Sequence, residues 1–440
     1  MAIPLWLKIL LIRTRLAGLC PMAHRLTDGG FRYLRYYSDR VLTAPVEELL
    51  DAAVFTGCAG PGAIDLNQSA PRFDTGNRLT GHDENRSAWG TSELRNAIAD
   101  HYVRRDGRAV DPEREVFITH GASAAYAATL DAFVNPGDRV ALFDPCSPLF
   151  SLGAKSRRAR IRWIPTWNDE GRLRFPVAAF EKAVRGAKLL VPSDPANPTG
   201  ACLAAEDLEY LAWFAAGYNV LIYADESFGR FRYDSRGRSL AVVPGAENRT
   251  LTAGSLSQGW GMGSARVGWL AGPRHLVRAC ALTANLSAPF VSPLCQQLAA
   301  RALAEPEESF APILEQFRGR RQYTVDRLKA IGLEPEWPGG GYFVWVSVSS
   351  LGMAGRTFAQ RLLKERQVLV SPGCAFGQGG GGHIRVSFAA EDGRLREGLT
   401  RLAAFVKGLR MPESVAVPEP DGMNEEAESE NDVKPVFSRV

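Results

Sequence analysis

With 440 residues the chain is too long for one ordinary hydrophobic core; at ~150 residues per domain it predicts two or three domains, or one large domain with a satellite. Hydrophobic residues make up 45% and charged residues 23%, which excludes a fibrous or wholly disordered chain. Lys and Arg (52) nearly balance Asp and Glu (48), so the formal charge is only +4, which argues against a dedicated nucleic-acid binder with a strongly basic face.

The seven cysteines show no C-x-x-C pair, so the spacing suggests neither a zinc site nor a disulfide framework. Reduced thiols in a cytoplasmic protein are the expectation. No apolar run approaches the ~18–20 residues that a membrane helix needs. The first residues carry Lys8, Arg13, Arg15 and Arg25 without an acid, but no small-residue cleavage site follows. A start at Met22 is the simpler expectation. At the other end, residues 411–440 hold eight acids and two bases, which predicts a disordered acidic tail.

Between these ends strands and helices alternate. Glu115–Thr119 reads as a strand and Ala122–Phe133 as the helix after it. Arg139–Phe143, Arg160–Ile164, Lys188–Val191, Asn219–Ala224, Thr250–Thr252 and Val267–Ala271 continue the strand series. Helical spacing marks Glu206–Ala216, 274–285 and 306–331. This alternation predicts an α/β fold, with a mainly parallel sheet between helices and ligands at the carboxyl ends of its strands. Tyr342–Val348, Val368–Ser371 and His383–Phe388 read as strands around helices 355–366 and 391–408, a small α+β domain. The expected division is an N-terminal extension and arm (1–60), a large domain (61–320), a small C-terminal domain (321–410) and the tail (411–440).

Polar residues at the strand ends carry the chemistry. Gly121, Ala122 and Ser123 follow a strand and open a helix, where free N–H groups attract an anion. The run Asp194-Pro-Ala-Asn-Pro-Thr-Gly200 is turn chemistry that can also present the Asn197 amide to a cleft. Asp225 and Glu226 end a buried strand; a carboxylate there is costly without a positive partner, and a helix cap or surface acid is the plain alternative. Ser255, Ser257, four glycines and Arg266 suit a phosphate cup, or else a flexible glycine-rich loop. Arg385 sits in a strand among apolar neighbours and calls for a carboxylate partner, structural or substrate.

In order and spacing these segments resemble the class I/II aminotransferases, the fold-type I enzymes that use pyridoxal 5′-phosphate. The resemblance spans about residues 60–410 and includes GTSELRNAIADHY at 90–102, THGASAA at 119–125, DPANPTG at 194–200, ADESF at 224–228 and PGCAFGQGGGGHIRVSFA at 372–389. It implies a large cofactor domain, a mobile small domain and a homodimer with sites at the interface. It implies that Ala122, Ser123, Ser255, Ser257 and Arg266 hold the phosphate, that Asn197 bonds the ring's phenolic oxygen, and that Asp225 pairs with the ring nitrogen. Arg385 would grip the α-carboxylate of an amino acid or keto acid.

The departures concern covalent chemistry and stacking. In the family a Schiff-base lysine stands eight residues before the phosphate arginine; here that position is Gln258, and none of the eight lysines lies in the cup. A glutamine amide neither forms an internal aldimine nor shuttles a proton. Ser147 takes the place of the aromatic that stacks on the ring, and Phe228 that of a tyrosine donating to it. The tyrosine before Gly90 is absent, with Asn85 or Arg86 in that region, and Ser69 stands where glycine is usual. Three readings follow: a protein that binds pyridoxal or pyridoxamine 5′-phosphate without a covalent link, a non-catalytic homologue or heterodimer subunit, and an ordinary aminotransferase using another base.

Overall fold

The computed structural model describes residues 37–39, 41, 87–234 and 237–410. The expectations about Met22, Ser69, Asn85, Arg86 and the acidic tail lie outside the described residues.

Helix α1 (Ser92–Asp106) leads into β1 (Val116–Thr119), α2 (Gly121–Phe133), β2 (Arg139–Asp144), α3 (Pro148–Ser156) and β3 (Arg160–Pro165). A two-stranded ribbon follows, β4 (Trp167–Asp169) with β5 (Arg172–Arg174), then α4 (Val177–Val184), β6 (Leu189–Val191), α5 (Ala205–Gly217) and β7 (Leu221–Asp225). The series closes with β8 (Thr250–Ser255), the single turn α6 (Leu256–Gly259), β9 (Gly268–Ala271), α7 (Arg274–Asn285) and α8 (Pro293–Ala304). Seven strands form one sheet in the order β1-β9-β8-β7-β6-β2-β3. Pairings from β3 through β8 are parallel, while β9 runs antiparallel to both β8 and β1. The reversal has a local cause: only the turn α6 and a short 3-10 turn at Gly263–Ala265 separate β8 from β9, whereas a parallel return needs a full crossover element.

Residues along β1, β6, β7, β8 and β9 are buried throughout, as a sheet covered on both faces requires, with successive side chains facing opposite layers. On one face Tyr223, Leu251 and Leu270 pack against Tyr126 and Phe133 of α2 and Leu276 of α7. On the other, Leu190 and Ile222 pack with Phe180 and Leu211, and Trp269 packs with Leu94, Ile98 and Leu303.

A long helix, α9 (Ala311–Ala330), leads to β10 (Glu334–Pro335), β11 (Phe343–Ser347), α10 (Gly355–Arg366), β12 (Ser371–Pro372), β13 (His383–Ser387) and α11 (Asp392–Arg410). Its four strands pair in the order β10-β11-β13-β12. Val344, Ile384, Phe358, Leu362, Leu399 and Phe405 form the core of this part, together with Val325 and Leu328 of α9. The strand expected at Val368–Ser371 is shorter and shifted: Val370 is buried in this core, but the ladder to β13 covers only Ser371 and Pro372. Among the described residues no helix is long and apolar enough to cross a membrane, and no side-chain cluster could hold a metal ion.

Candidate active site

Register aligns the polar groups along one edge of the large sheet. Gly268 pairs with Thr119 on one side and with Ser255 on the other, so β1, β9 and β8 end in one row. Helix α2 starts two residues after Thr119. Gly121 has a φ of +77°, and a Cβ there would lie 2.7 Å from the Arg266 guanidinium. A Cβ on Gly268 would approach the Gly121 backbone to 2.6 Å. Both positions need glycine for the arginine and the helix start to come together.

Arg266 itself adopts a left-handed φ of 52°. Its Nη2 donates to Ser123 Oγ at 3.3 Å and lies 3.5 Å from the His120 carbonyl. The first turn of α2 contains no acid, and no side chain caps it. The N–H groups of Ala122 and Ser123, an arginine and a hydroxyl thus converge at a positive helix end, a ready site for a phosphate. The Tyr223 hydroxyl donates to the Ala122 carbonyl at 3.2 Å and fixes that turn to the sheet.

Beside it, Ser255 Oγ accepts from Ser257 N at 3.1 Å and caps α6. The Ser257 hydroxyl and the Gln258 amide oxygen are both buried without a hydrogen-bond partner. Such orphaned groups are rare in a folded interior and call for a ligand or water.

One strand over, Asp225 is 8% exposed, so it is not a surface acid. Its Oδ1 accepts from Ser227 Oγ at 2.6 Å and Ser227 N at 3.1 Å, a local turn that fits the capping alternative in part. Burial raises its pKa above the usual carboxylate range, with the Ser227 bonds opposing. It has no ion-pair partner among the described residues, so a cationic ring nitrogen would complete it.

The small sheet contributes Arg385. Its Nη1 donates to Asn197 Oδ1 at 2.7 Å and its Nη2 to Ser371 Oγ at 3.2 Å, which joins two expected site residues across the cleft. The guanidinium lies 4.0 Å from the Phe343 ring centre, and Nε has no partner. No carboxylate among the described residues pairs with it, so of its two expected partners the structural acid is missing. Burial lowers its pKa to about 10. Phe228 packs edge-on to Phe343 at 5.6 Å, so Phe343 links the ring-site turn to the arginine.

Ser147 stands apart. It precedes α3 without capping it through its side chain, and no hydrogen bond ties it to the other site residues. Sequence reasoning missed the supports. Asp144 accepts from Gly379 N at 3.2 Å, and the Cys146 N–H donates to the Phe376 carbonyl at 2.8 Å. These bonds seat the loop before β13 on the end of β2. Asp194 binds Arg232 at 2.5 Å and accepts from Leu203 N at 3.0 Å, which holds the Asn197 turn. The signal for Asp144 was its place at a strand end; its partner, a backbone N–H some 235 positions away in the chain, leaves no mark in sequence spacing.

A doubly covered α/β sheet with an anion cradle at its strand ends, and with the acid Asp225 and the cation Arg385 lacking ion-pair partners among the described residues, defines a ligand-binding α/β scaffold. The family model for aminotransferase class I and II matches residues 71–402, and the chain belongs to that family. The putative aminotransferase YugH of Bacillus subtilis is 30% identical over 385 residues, covering 85% of this chain and 98% of that protein. Arginine–pyruvate transaminase AruH of Pseudomonas aeruginosa is 32% identical, over 86% of this chain and 94% of its own. Among solved structures, an aromatic aminotransferase from Pyrococcus horikoshii superposes with a TM-score of 0.70 at 26% identity, covering 83% of this chain and 92% of its own. The family's cofactor is pyridoxal 5′-phosphate, and the cradle, Asp225 and the orphaned Ser257 hydroxyl fit its phosphate and ring.

Proposed function

We propose that this protein binds pyridoxal or pyridoxamine 5′-phosphate reversibly, together with an amino acid or keto acid, and that Gln258 stands at the Schiff-base lysine position and removes the covalent link. The carrying observation is the contrast at one edge. Arg266, Asp225 and Arg385 are poised for phosphate, ring nitrogen and carboxylate, while Gln258 offers only an amide whose oxygen is buried and unpaired. When bound, the cofactor supplies an electron sink for chemistry at an amino acid's α-carbon. Ala122, Ser123, Ser255, Ser257 and Arg266 would hold the phosphate; Asp225 would keep the ring nitrogen protonated; Asn197 would bond the ring's phenolic oxygen; and Arg385, which donates to Asn197, would grip the carboxylate. Any proton transfer then falls to water or to a side chain other than lysine.

Lysine rescue from within the chain has little support. No lysine lies between Lys188, which precedes β6 at the far end of the strands, and Lys329. A homodimer completes the reading: Leu286, Phe290, Leu294 and Leu298 expose a run of apolar surface from the end of α7 through α8, suited to a second copy. The non-catalytic reading, as pseudoenzyme or heterodimer subunit, shares the binding site and differs in turnover. The test is an absorbance spectrum of purified protein with pyridoxal phosphate, before and after amino acids and after dialysis. Reversible binding with no borohydride-fixed lysine adduct in the mass spectrum is expected. An adduct on any native lysine would refute the reading, and failure to bind the cofactor at all would leave only the scaffold.

A further inference from the structure

Helix α6 carries Ser257 and Gln258, yet it is one turn of four residues and cannot hold its own orientation. A cavity of about 580 Å³ opens behind it, lined by Ser255, Trp260, Trp269, Glu226 and Arg230 among others. Leu256 anchors one end of the turn in the core, whereas Trp260 past the other end borders the cavity, where a specific contact holds the chain.

Arg230 makes that contact. Its Nη1 donates to the carbonyl of Gly259, the residue after Gln258, at 3.1 Å. The guanidinium is clamped between the rings of Phe310 at 4.0 Å and Trp260 at 4.6 Å. Its side chain is 9% exposed, and its ion pair, to Glu307 at 3.5 Å, reaches an acid that is itself 61% exposed. A Cβ on Gly259 would meet Arg230 Cδ at 3.4 Å, an ordinary contact, so the two segments already lie side by side. Arg230 is tied in turn to the ring-site turn, because Phe231 N donates to the Phe228 carbonyl at 2.8 Å and Gly229 N to that of Glu226 at 2.9 Å.

We propose that Arg230 is a positioning residue of the cofactor site: it bolts the Leu256–Gly259 turn to the Asp225–Phe228 turn and so sets where Ser257 and Gln258 face. The assignment rests on the reading that these two residues line the cofactor site. A lysine at this position keeps a cation that can reach the carbonyl but gives up the planar stack between the rings, whereas a methionine keeps an apolar contact and loses the bond.

The test uses the full chain with Gln258 in place and compares Arg230→Ala, Arg230→Met and Arg230→Lys. Amide hydrogen exchange of residues 256–262, measured without cofactor, should speed up at least roughly tenfold in the Ala and Met variants and clearly less in Lys, which keeps the charged bond but not the stack. Pyridoxal phosphate affinity should fall roughly tenfold in Ala and Met, as for loss of a charge-assisted hydrogen bond, with partial recovery in Lys. Unchanged exchange in 256–262 in a folded Ala or Met variant would overturn the inference, as would unchanged affinity in a native chain that binds cofactor. A native chain that binds no cofactor would instead refute the reading of the site, and the exchange measurement would still decide the bolt. Should Ala fail to fold, Met and Lys carry the same comparison.

Discussion

The cradle around α2 and the short turn α6 lie side by side at the same sheet edge and differ in how their polar groups are settled. In the cradle and its surroundings each functional group already has a protein partner: Arg266 has Ser123, Asp225 has Ser227 and Arg385 has Asn197. In α6 the Ser257 hydroxyl and the Gln258 amide oxygen have none. The first region is preorganised for a ligand, which lowers the cost of binding. On the proposed reading, the second has the position of a reactive group without its chemistry. Grip on a cofactor and covalent attachment to it would then be carried by different residues, and one could be lost without the other.

The sharpest way to break this contrast is Gln258→Lys. Lysine is longer than glutamine by about one bond, and Arg266 disfavours a second cation nearby, which leaves part of the amine neutral and nucleophilic. The variant should acquire a borohydride-fixed pyridoxyl adduct on residue 258, read by peptide mass spectrometry, where the native chain has none. A folded variant without the adduct would mean that the ring site has changed beyond this one position.

Next in size is the loss of the cradle's cation. Arg266→Ala should weaken cofactor binding by about 2–3 kcal/mol, as for a charged hydrogen bond removed from a site. A fluorescence titration checks it, with circular dichroism to confirm the fold. Equal affinity would place the phosphate elsewhere.

Asp225→Asn separates stability from binding. Burial raises the Asp225 carboxyl, so the folded chain without cofactor holds this proton more tightly than the unfolded chain. The stability it contributes is greatest in acid. It declines as pH climbs from the ordinary carboxylate value of ~3.9 through the raised one. Asn removes that dependence and can still accept from Ser227. The cofactor-free variant should therefore be more stable than native at neutral pH by about 1 kcal/mol, while cofactor affinity falls by about 1–2 kcal/mol. Thermal melting against pH reads the first effect. A variant less stable than native at neutral pH would show that the carboxylate is satisfied without a cofactor.

Much of this was legible in the chain itself. The strands at 116–119, 139–144 and 221–225 stand out because their apolar runs are too short for helices and end at acids or turn residues. The site edge followed, since ligands gather at strand ends in this architecture. What escaped is of two kinds. Helices α3 and α8 each begin with a proline at the first turn, Pro148 and Pro293, a start signal that is easily read as a break. The supports, Asp144 to Gly379 and Arg230 to Gly259, are single side chains bonding backbone groups 235 and 29 positions away. A backbone partner has no residue type to recognise, so no pattern in the sequence announces it. The antiparallel turn of β9 was hidden similarly, because chain direction depends on how far the 256–267 segment reaches.

The smallest effect, and the one that sharpens the contrast most finely, concerns Phe228. It is 6% exposed and packs edge-on to Tyr342 at 5.3 Å and Phe343 at 5.6 Å, a snug aromatic corner next to Arg385. Phe228→Tyr adds one hydroxyl at the ring edge. If that edge faces the cofactor's phenolic oxygen beside Asn197, the hydroxyl gains a hydrogen bond of about 1 kcal/mol and affinity for pyridoxal phosphate rises roughly fivefold. The cofactor-free chain gains no partner, so its melting point should stay level or drop, because a buried hydroxyl without an acceptor is costly. Tighter binding with no gain in stability is the signature of a group aimed at the ligand. Equal affinity and lower stability would mean that the edge is buried in the Tyr342–Phe343 corner, and Phe228 would then belong to the core rather than to the site.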